Sequence, residues 1–132
     1  SKSRGERITL EEVFEDCPPA ALRFYLLSHH YREFTPYSPD GLLAACQEGE
    51  RLGVNAVDCM IVDSTDPRDD EETAPLVSRF EEALDDDLDT PKALDVLRDL
   101  DIIAGNRLKN EGNLAPISGM YSIFQCVLGI FS

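Results

Sequence analysis

Basic residues are scarce in this chain of 132: 12 lysines and arginines stand against 26 aspartates and glutamates, a formal net charge of −14. Long apolar runs are missing as well. No stretch approaches the roughly 20 residues of a membrane span, and the chain does not start with a basic, then apolar, then small-residue leader. These absences point to a soluble protein of the cytoplasm with no membrane partner. The four cysteines, Cys17, Cys46, Cys59 and Cys126, form no C-x-x-C pair, which removes the usual zinc and dithiol spacings and any disulfide scaffold. Three of the four sit among apolar helical residues, where a thiol packs as a small hydrophobe. Core positions are expected for them.

The shortage of positive charge argues against a free-standing nucleic-acid binder, which usually carries a basic stripe. The deficit is uneven. Residues 1–35 hold five basic side chains (Lys2, Arg4, Arg7, Arg23 and Arg32) against six acidic ones, which leaves seven basic and twenty acidic residues for the remainder. Contact with phosphate is therefore expected early in the chain, and the acidic remainder reads as a solubilising surface.

Strand-type alternation persists nowhere, and no repeat or low-complexity tract stands out. What is present is helical spacing. Thr9 with Glu12 forms a capping box that opens a short helix through Val13 and Phe14. Pro18-Pro19 starts the next helix, with Ala21, Leu22, Tyr25, Leu26 and His29 on one face, ending near His30. Ser38-Pro39 caps a longer one whose stripe is Leu42, Ala45, Cys46, Leu52, Ala56, Cys59 and Met60. Gly49 and Gly53, one turn apart on that stripe, predict close approach of a neighbouring helix. After the Asp66-Pro67 turn, a helix over about 71–85 faces inward with Leu76, Phe80, Ala83 and Leu84. Thr90-Pro91 caps another, with Leu94, Leu97, Leu100, Ala104 and Leu108 inward. Asn110 to Asn113 is a turn, and the segment Ile117 to Phe131, apolar on most sides, is expected to be buried. The fold class is all-α: a short helical connector over 1–36, then an antiparallel helix bundle over 37–132.

Ser1-Lys2-Ser3 followed by Gly5 places one ammonium and two hydroxyls on a short polar segment. Such a loop can hold a polyphosphate, because lysine supplies a point charge and glycine lets the backbone come close. His29 and His30 are adjacent, so on a helix they point about 100° apart and cannot serve one site together. The Asp85–Asp89 run offers oxygen ligands for a hard cation, but its simpler role is negative charge at the N-terminus of the helix that follows.

The stretch SKSRGERITLEEVFEDCPPAALRFYLLSHHYRE, Ser1 to Glu33, resembles the class I aminoacyl-tRNA synthetases of the cysteine type. Ser1-Lys2-Ser3 match the last three letters of the family's KMSKS loop, and Gly5, Ile8 and Thr9 keep its register. Pro19, Ala21-Leu22-Arg23, Leu26-Leu27-Ser28 and His30-Tyr31-Arg32 match the segment that follows. Further on, EEALDDDLDTPKAL (Glu81 to Leu94), NRLKN (Asn106 to Asn110) and VLGIF (Val127 to Phe131) resemble the later helices, so the resemblance covers nearly the whole chain. There are departures. Arg4 stands where leucine is usual, Pro18 replaces an aspartate, and the Lys-Met that should precede Ser1, the HIGH nucleotide signature and the family's zinc ligands are not in the sequence.

The resemblance implies a piece of a cysteine–tRNA ligase, inactive by itself, with a DALR-type anticodon-binding bundle. It implies ATP with magnesium as a substrate of the parent, a zinc held outside this chain with no metal site within it, and tRNA(Cys) and a catalytic domain as partners. Lys2 is the implied catalytic residue, with Ser1, Lys2, Ser3 and Gly5 around the nucleotide. Arg7, Arg23, Tyr31, Arg32, Arg107 and Lys109 are the candidate tRNA contacts, although Arg23, on a helix, better suits a carboxylate partner. Two alternatives remain open: the related ligase of mycothiol biosynthesis, which joins cysteine to an amino sugar, and a helical interaction module without catalysis.

Overall fold

Prolines in the first turn begin every α-helix of the described chain. A first-turn proline loses no hydrogen bond and is preset to helical φ. The computed structural model describes residues 19–30 and 38–131. Among these residues the elements are α1 (Pro19–Leu27), α2 (Pro39–Met60), a 3₁₀ turn (Pro67–Asp69), α3 (Ala74–Asp85), α4 (Thr90–Lys109) and α5 (Ala115–Leu128), with no strand. The fold is all-α, as expected. The Thr9–Glu12 capping box, the Val13–Phe14 helix, Cys17 and the loop Tyr31 to Tyr37 lie outside the described residues.

Local chemistry sets the helix starts. Ser38 Oγ accepts the Gly41 amide at 3.0 Å and caps α2 as its sequence predicts. The start of α4 differs from expectation. Asp89, not Thr90, is the cap, its Oδ1 accepting the Lys92 amide at 3.1 Å, while Thr90 lies inside the first turn. The α3 helix begins at Ala74 rather than near Glu71. The Asp70 carboxylate takes the amides of Glu72 and Thr73 at 3.0 and 3.2 Å and holds residues 71–73 in a turn. Buried Thr73 completes that turn by donating from Oγ1 to the Pro67 carbonyl at 2.6 Å.

The helices run antiparallel in the pairs α1/α2, α3/α4 and α2/α5, whereas α2 and α4 run parallel. Glu48 meets Arg98, and further along both helices Asn55 meets Asp101. The centre is formed by Leu94, Leu97, Leu100 and Ala104 of α4 against Ile117, Met120, Tyr121 and Phe124 of α5, all 0% exposed. Phe80 of α3 closes it edge-on against Phe124, with ring centroids 4.6 Å apart. Each such large apolar side chain contributes roughly 1.5–3 kcal/mol by leaving water.

The stripes read from α2 and α4 are buried as expected except at their last residues, Met60 and Leu108, which are half-buried. Three other expectations fail. On α1 the inward residues are Ala21, Phe24 and Tyr25, whereas Leu26 is 61% exposed, because one residue's step turns it about 100° off that face. The last helix is not buried on most sides: Ser122, Cys126 and Val127 face outward, so Cys126 is no core thiol, unlike Cys46 and Cys59. Gly49 and Gly53 mark no close approach, since a methyl group on either would meet nothing within 4 Å. The close approach occurs instead at Gly119, where a Cβ would stand 2.1 Å from the Thr65 carbonyl oxygen. There the residues that follow α2 cross α5, pinned by Ser118 Oγ to the Val62 carbonyl at 3.0 Å and by the Thr65 amide to the Ala115 carbonyl at 3.1 Å.

Candidate functional site

Ser1, Lys2, Ser3, Gly5, Arg7, Tyr31 and Arg32 lie outside the described residues. Arg23, Arg107 and Lys109 are placed, and the fold separates them. Arg23, exposed on α1, donates from Nη1 to the carbonyl of Gly129, the left-handed residue (φ 64°) that ends α5. Arg107 lies near the other end of the same helix, its Nη1 on the Asn113 carbonyl at 2.9 Å. The 14 residues of α5 lie between, about 21 Å at 1.5 Å per residue. These arginines therefore do not share one face.

Arg107 is also the most enclosed of the ion-paired cations, its side chain 15% exposed. Its Nη2 reaches Asp70 Oδ2 at 2.8 Å and Glu72 Oε1 at 2.7 Å. The guanidinium, first by hydrogen bonding, holds the Asp70 carboxyl below its ordinary value, aided by the Thr73 and Glu72 amides. An RNA phosphate at Arg107 has to displace two carboxylates. Lys109, two residues on, is exposed and makes none of the described ion pairs.

The same pattern runs through the bundle. Arg98 forks onto Glu48 with 2.7 and 3.0 Å contacts and reaches Asp95 at 2.8 Å, which lowers the Glu48 pKa chiefly through the hydrogen bond. Arg51 lies 3.4 Å from Glu48 and 3.7 Å from Asp101, and Asn55 Nδ2 donates to Asp101 at 2.9 Å. Arg79 pairs with Asp99 at 2.7 Å, and Arg68 grips Asp66, whose pKa falls to about 2. Apart from Arg23, every described arginine is bonded to a carboxylate. The acidic surplus therefore neutralises the bundle's own cations, and no basic stripe forms on the described surface.

The remaining candidates have local roles. His29 Nδ1 lies 3.0 Å from the Tyr25 carbonyl, and its ring packs edge-on against Tyr25 at 5.2 Å. In the acidic run Asp89 caps α4 and Asp86 pairs with Lys92 at 3.2 Å. Among the described residues no cluster of three or more histidine, cysteine or acidic side chains is arranged to hold a metal, and no helix is long and apolar enough to cross a membrane. Burial raises the Cys59 thiol to about 11, so it stays protonated and inert.

Residues 79–132 match the DALR domain. The cysteine–tRNA ligase of Geobacter sulfurreducens is 40% identical across 100% of this chain, which covers 30% of that protein. Those of Methanosarcina mazei and Pelobacter propionicus are 37% and 33% identical, again across 100% of this chain and 30% and 32% of their own lengths. The chain belongs to the cysteine–tRNA ligase family. It spans about a third of the length of these relatives. Within the ligase-family bundle, the Arg98–Glu48 fork and the Arg23–Gly129 contact join residues 50 and 106 positions apart. No spacing rule connects partners so distant, and a sequence reading has no means of finding them.

Proposed function

We propose that the chain is the part of an ATP-dependent cysteine–tRNA ligase that carries the end of the nucleotide loop and a helical tRNA-contacting domain, acting in the cytoplasm. The observation behind this reading is the match to cysteine–tRNA ligases across the whole chain. In the proposed reaction the cysteine carboxylate attacks the α-phosphate of ATP and pyrophosphate leaves. Negative charge grows on the leaving phosphates. Lys2 closes over them, Ser1 and Ser3 donate hydrogen bonds, and Gly5 lets the loop swing. Magnesium accompanies the ATP, and the family's zinc is bound by residues outside this chain.

For the tRNA we propose a narrow edge built from Arg7, Tyr31 and Arg32, with Lys109 a separate contact at the far end of α4 and Arg107 kept as a scaffold residue. The ion pairing within the bundle supports a narrow edge, because a broadly acidic face repels a polyanion over a Debye length of about 8 Å at physiological salt.

The test is cysteine-dependent ATP–pyrophosphate exchange and tRNA aminoacylation by the full-length enzyme, with Lys2→Ala beside the wild type. Loss of one transition-state donor slows adenylate formation on the order of 100- to 1,000-fold, with cysteine binding spared. The 132-residue chain alone gives no exchange. A normal rate constant in Lys2→Ala overturns the loop assignment. Exchange without transfer to tRNA favours the amino-sugar ligase.

A further inference from the structure

The α1 helix is the first described element after the proposed nucleotide loop, and its attachment to the bundle is unusual. Alongside it Ala20, Ala21 and Phe24, with Cys46, Gly49 and Gly53 of α2 and Ile130 and Phe131, line a solvent-open groove of about 160 Å³. The groove is open to solvent, so α1 is packed through its buried face of Ala21, Phe24 and Tyr25 and left unsupported along the side that borders the groove. Two polar anchors, from the middle of the helix and from its C-terminal half, add to that packing. At the C-terminal end the Tyr25 hydroxyl accepts the Ser38 amide at 3.2 Å, and the Tyr25 ring lies against Gly41, where a Cβ would stand 3.1 Å from Cε1. Midway along the helix, on its exposed side, Arg23 reaches Gly129. That carbonyl belongs to the C-terminal cap of α5, where the exposed carbonyls and the helix dipole attract a cation.

We infer that Arg23 is a positioning residue that latches α1 to the C-terminal turn of α5 and so sets the angle between the chain preceding α1 and the bundle. This rests on the proposed function. If the nucleotide loop and the tRNA-contacting bundle belong to one ligase, the latch couples the tRNA held by the bundle to the loop ahead of α1. Adenylation, which needs no tRNA, does not depend on it, whereas transfer to tRNA does.

The experiment compares Arg23→Ala and Arg23→Gln in the full-length enzyme. A latch predicts that Arg23→Ala lowers the kcat of aminoacylation by roughly tenfold, within the usual range of coupling between two sites. Pyrophosphate exchange, the KM for tRNA and its salt dependence stay as in the wild type. Glutamine, which keeps an N–H donor for the Gly129 carbonyl, restores most of the rate. A direct phosphate contact predicts the reverse: KM rises, the salt slope drops by about one, and glutamine fails to rescue. That result overturns the latch, as does an unchanged kcat or a joint fall of exchange and transfer. Hydrogen exchange on the 132-residue chain gives an independent reading, with faster exchange in α1 of Arg23→Ala and unchanged exchange in α4. Unchanged exchange in α1 overturns the proposal. A wild-type enzyme that charges no tRNA removes the function reading itself, and is told apart by the control alone.

Discussion

Gly119 in α5 and the Gly49–Gly53 pair in α2 lie on helices that pack against each other, yet their surroundings are opposite. Around Gly119 every neighbour from Pro116 to Tyr121 is buried, and the backbone at Thr65 occupies the space a side chain would need. Around Gly49 and Gly53 there is open space and a partly empty groove. The first region is a sealed core with one solution to its packing. The second is a corner where α1 is packed on one face and borders an open groove on another. A small residue on a helix therefore carries no meaning by itself. What matters is whether another backbone has moved into the space it leaves.

The largest effect expected from this contrast is at Gly119. A Cβ 2.1 Å from the Thr65 oxygen cannot be accommodated by rotating a side chain, because the obstacle is backbone. Either α5 or the residues after α2 must shift, breaking the Thr65–Ala115 and Ser118–Val62 bonds. Gly119→Ala is expected to lose on the order of 3 kcal/mol, read as a lowered urea midpoint. A midpoint within error of the wild type means that this strand of chain yields, and that the α4/α5 centre is looser than its burial implies.

The next effect is electrostatic and lies near the N-terminal end of α5. Arg107→Met keeps most of the aliphatic stem but leaves Asp70, 19% exposed, without its guanidinium. A loss of about 2 kcal/mol at pH 7 is expected for an under-satisfied, mostly buried carboxylate. Asp70 has its folded pKa below the ordinary value near 4. Its contribution is fully present above that ordinary value and disappears as pH falls through the lower, folded one. The gap between variant and wild type should therefore be widest at neutral pH and narrow below about pH 4. A gap that is independent of pH assigns the loss to packing rather than to charge.

The sequence told these regions apart only in part. The stripes of α2 and α4 were legible because long helices with regular apolar spacing have one way to face a core. The cap at Ser38 was legible because the proline after it fixes the register. Thr90 was a poorer guide, since Asp89 lies one residue earlier with an equally competent oxygen. The start of α3 was hidden by Asp70, whose side chain captures two amides and competes with the helix. Leu26 was misread because, on a helix of only nine residues, two neighbouring faces are equally apolar. The expected tRNA arginines were chosen by type and position. Charge spacing does not reveal that Arg107 is held by two carboxylates, or that Arg23 reaches a carbonyl far along the chain.

The smallest effect should have the opposite sign. Gly49 and Gly53 are helical, lack close neighbours, and lie mid-helix in α2, where glycine has more backbone freedom to lose on folding than alanine. Replacing either with alanine is expected to stabilise the 132-residue chain by about 0.5–1 kcal/mol, read as a raised urea midpoint. The added methyl groups enter the groove beneath Ala20, Ala21 and Phe24 and reduce its empty volume, which adds to the gain if α1 settles onto them. Loss of stability in either variant means that the groove closes in solution and that α1 packs more tightly than the 160 Å³ cavity indicates. In that case α1 is fixed by its face and the latch at Arg23 loses its purpose. A gain in the isolated chain, together with slower tRNA charging by the full-length enzyme, points the other way: filling the groove then disturbs the angle of α1 that the latch sets.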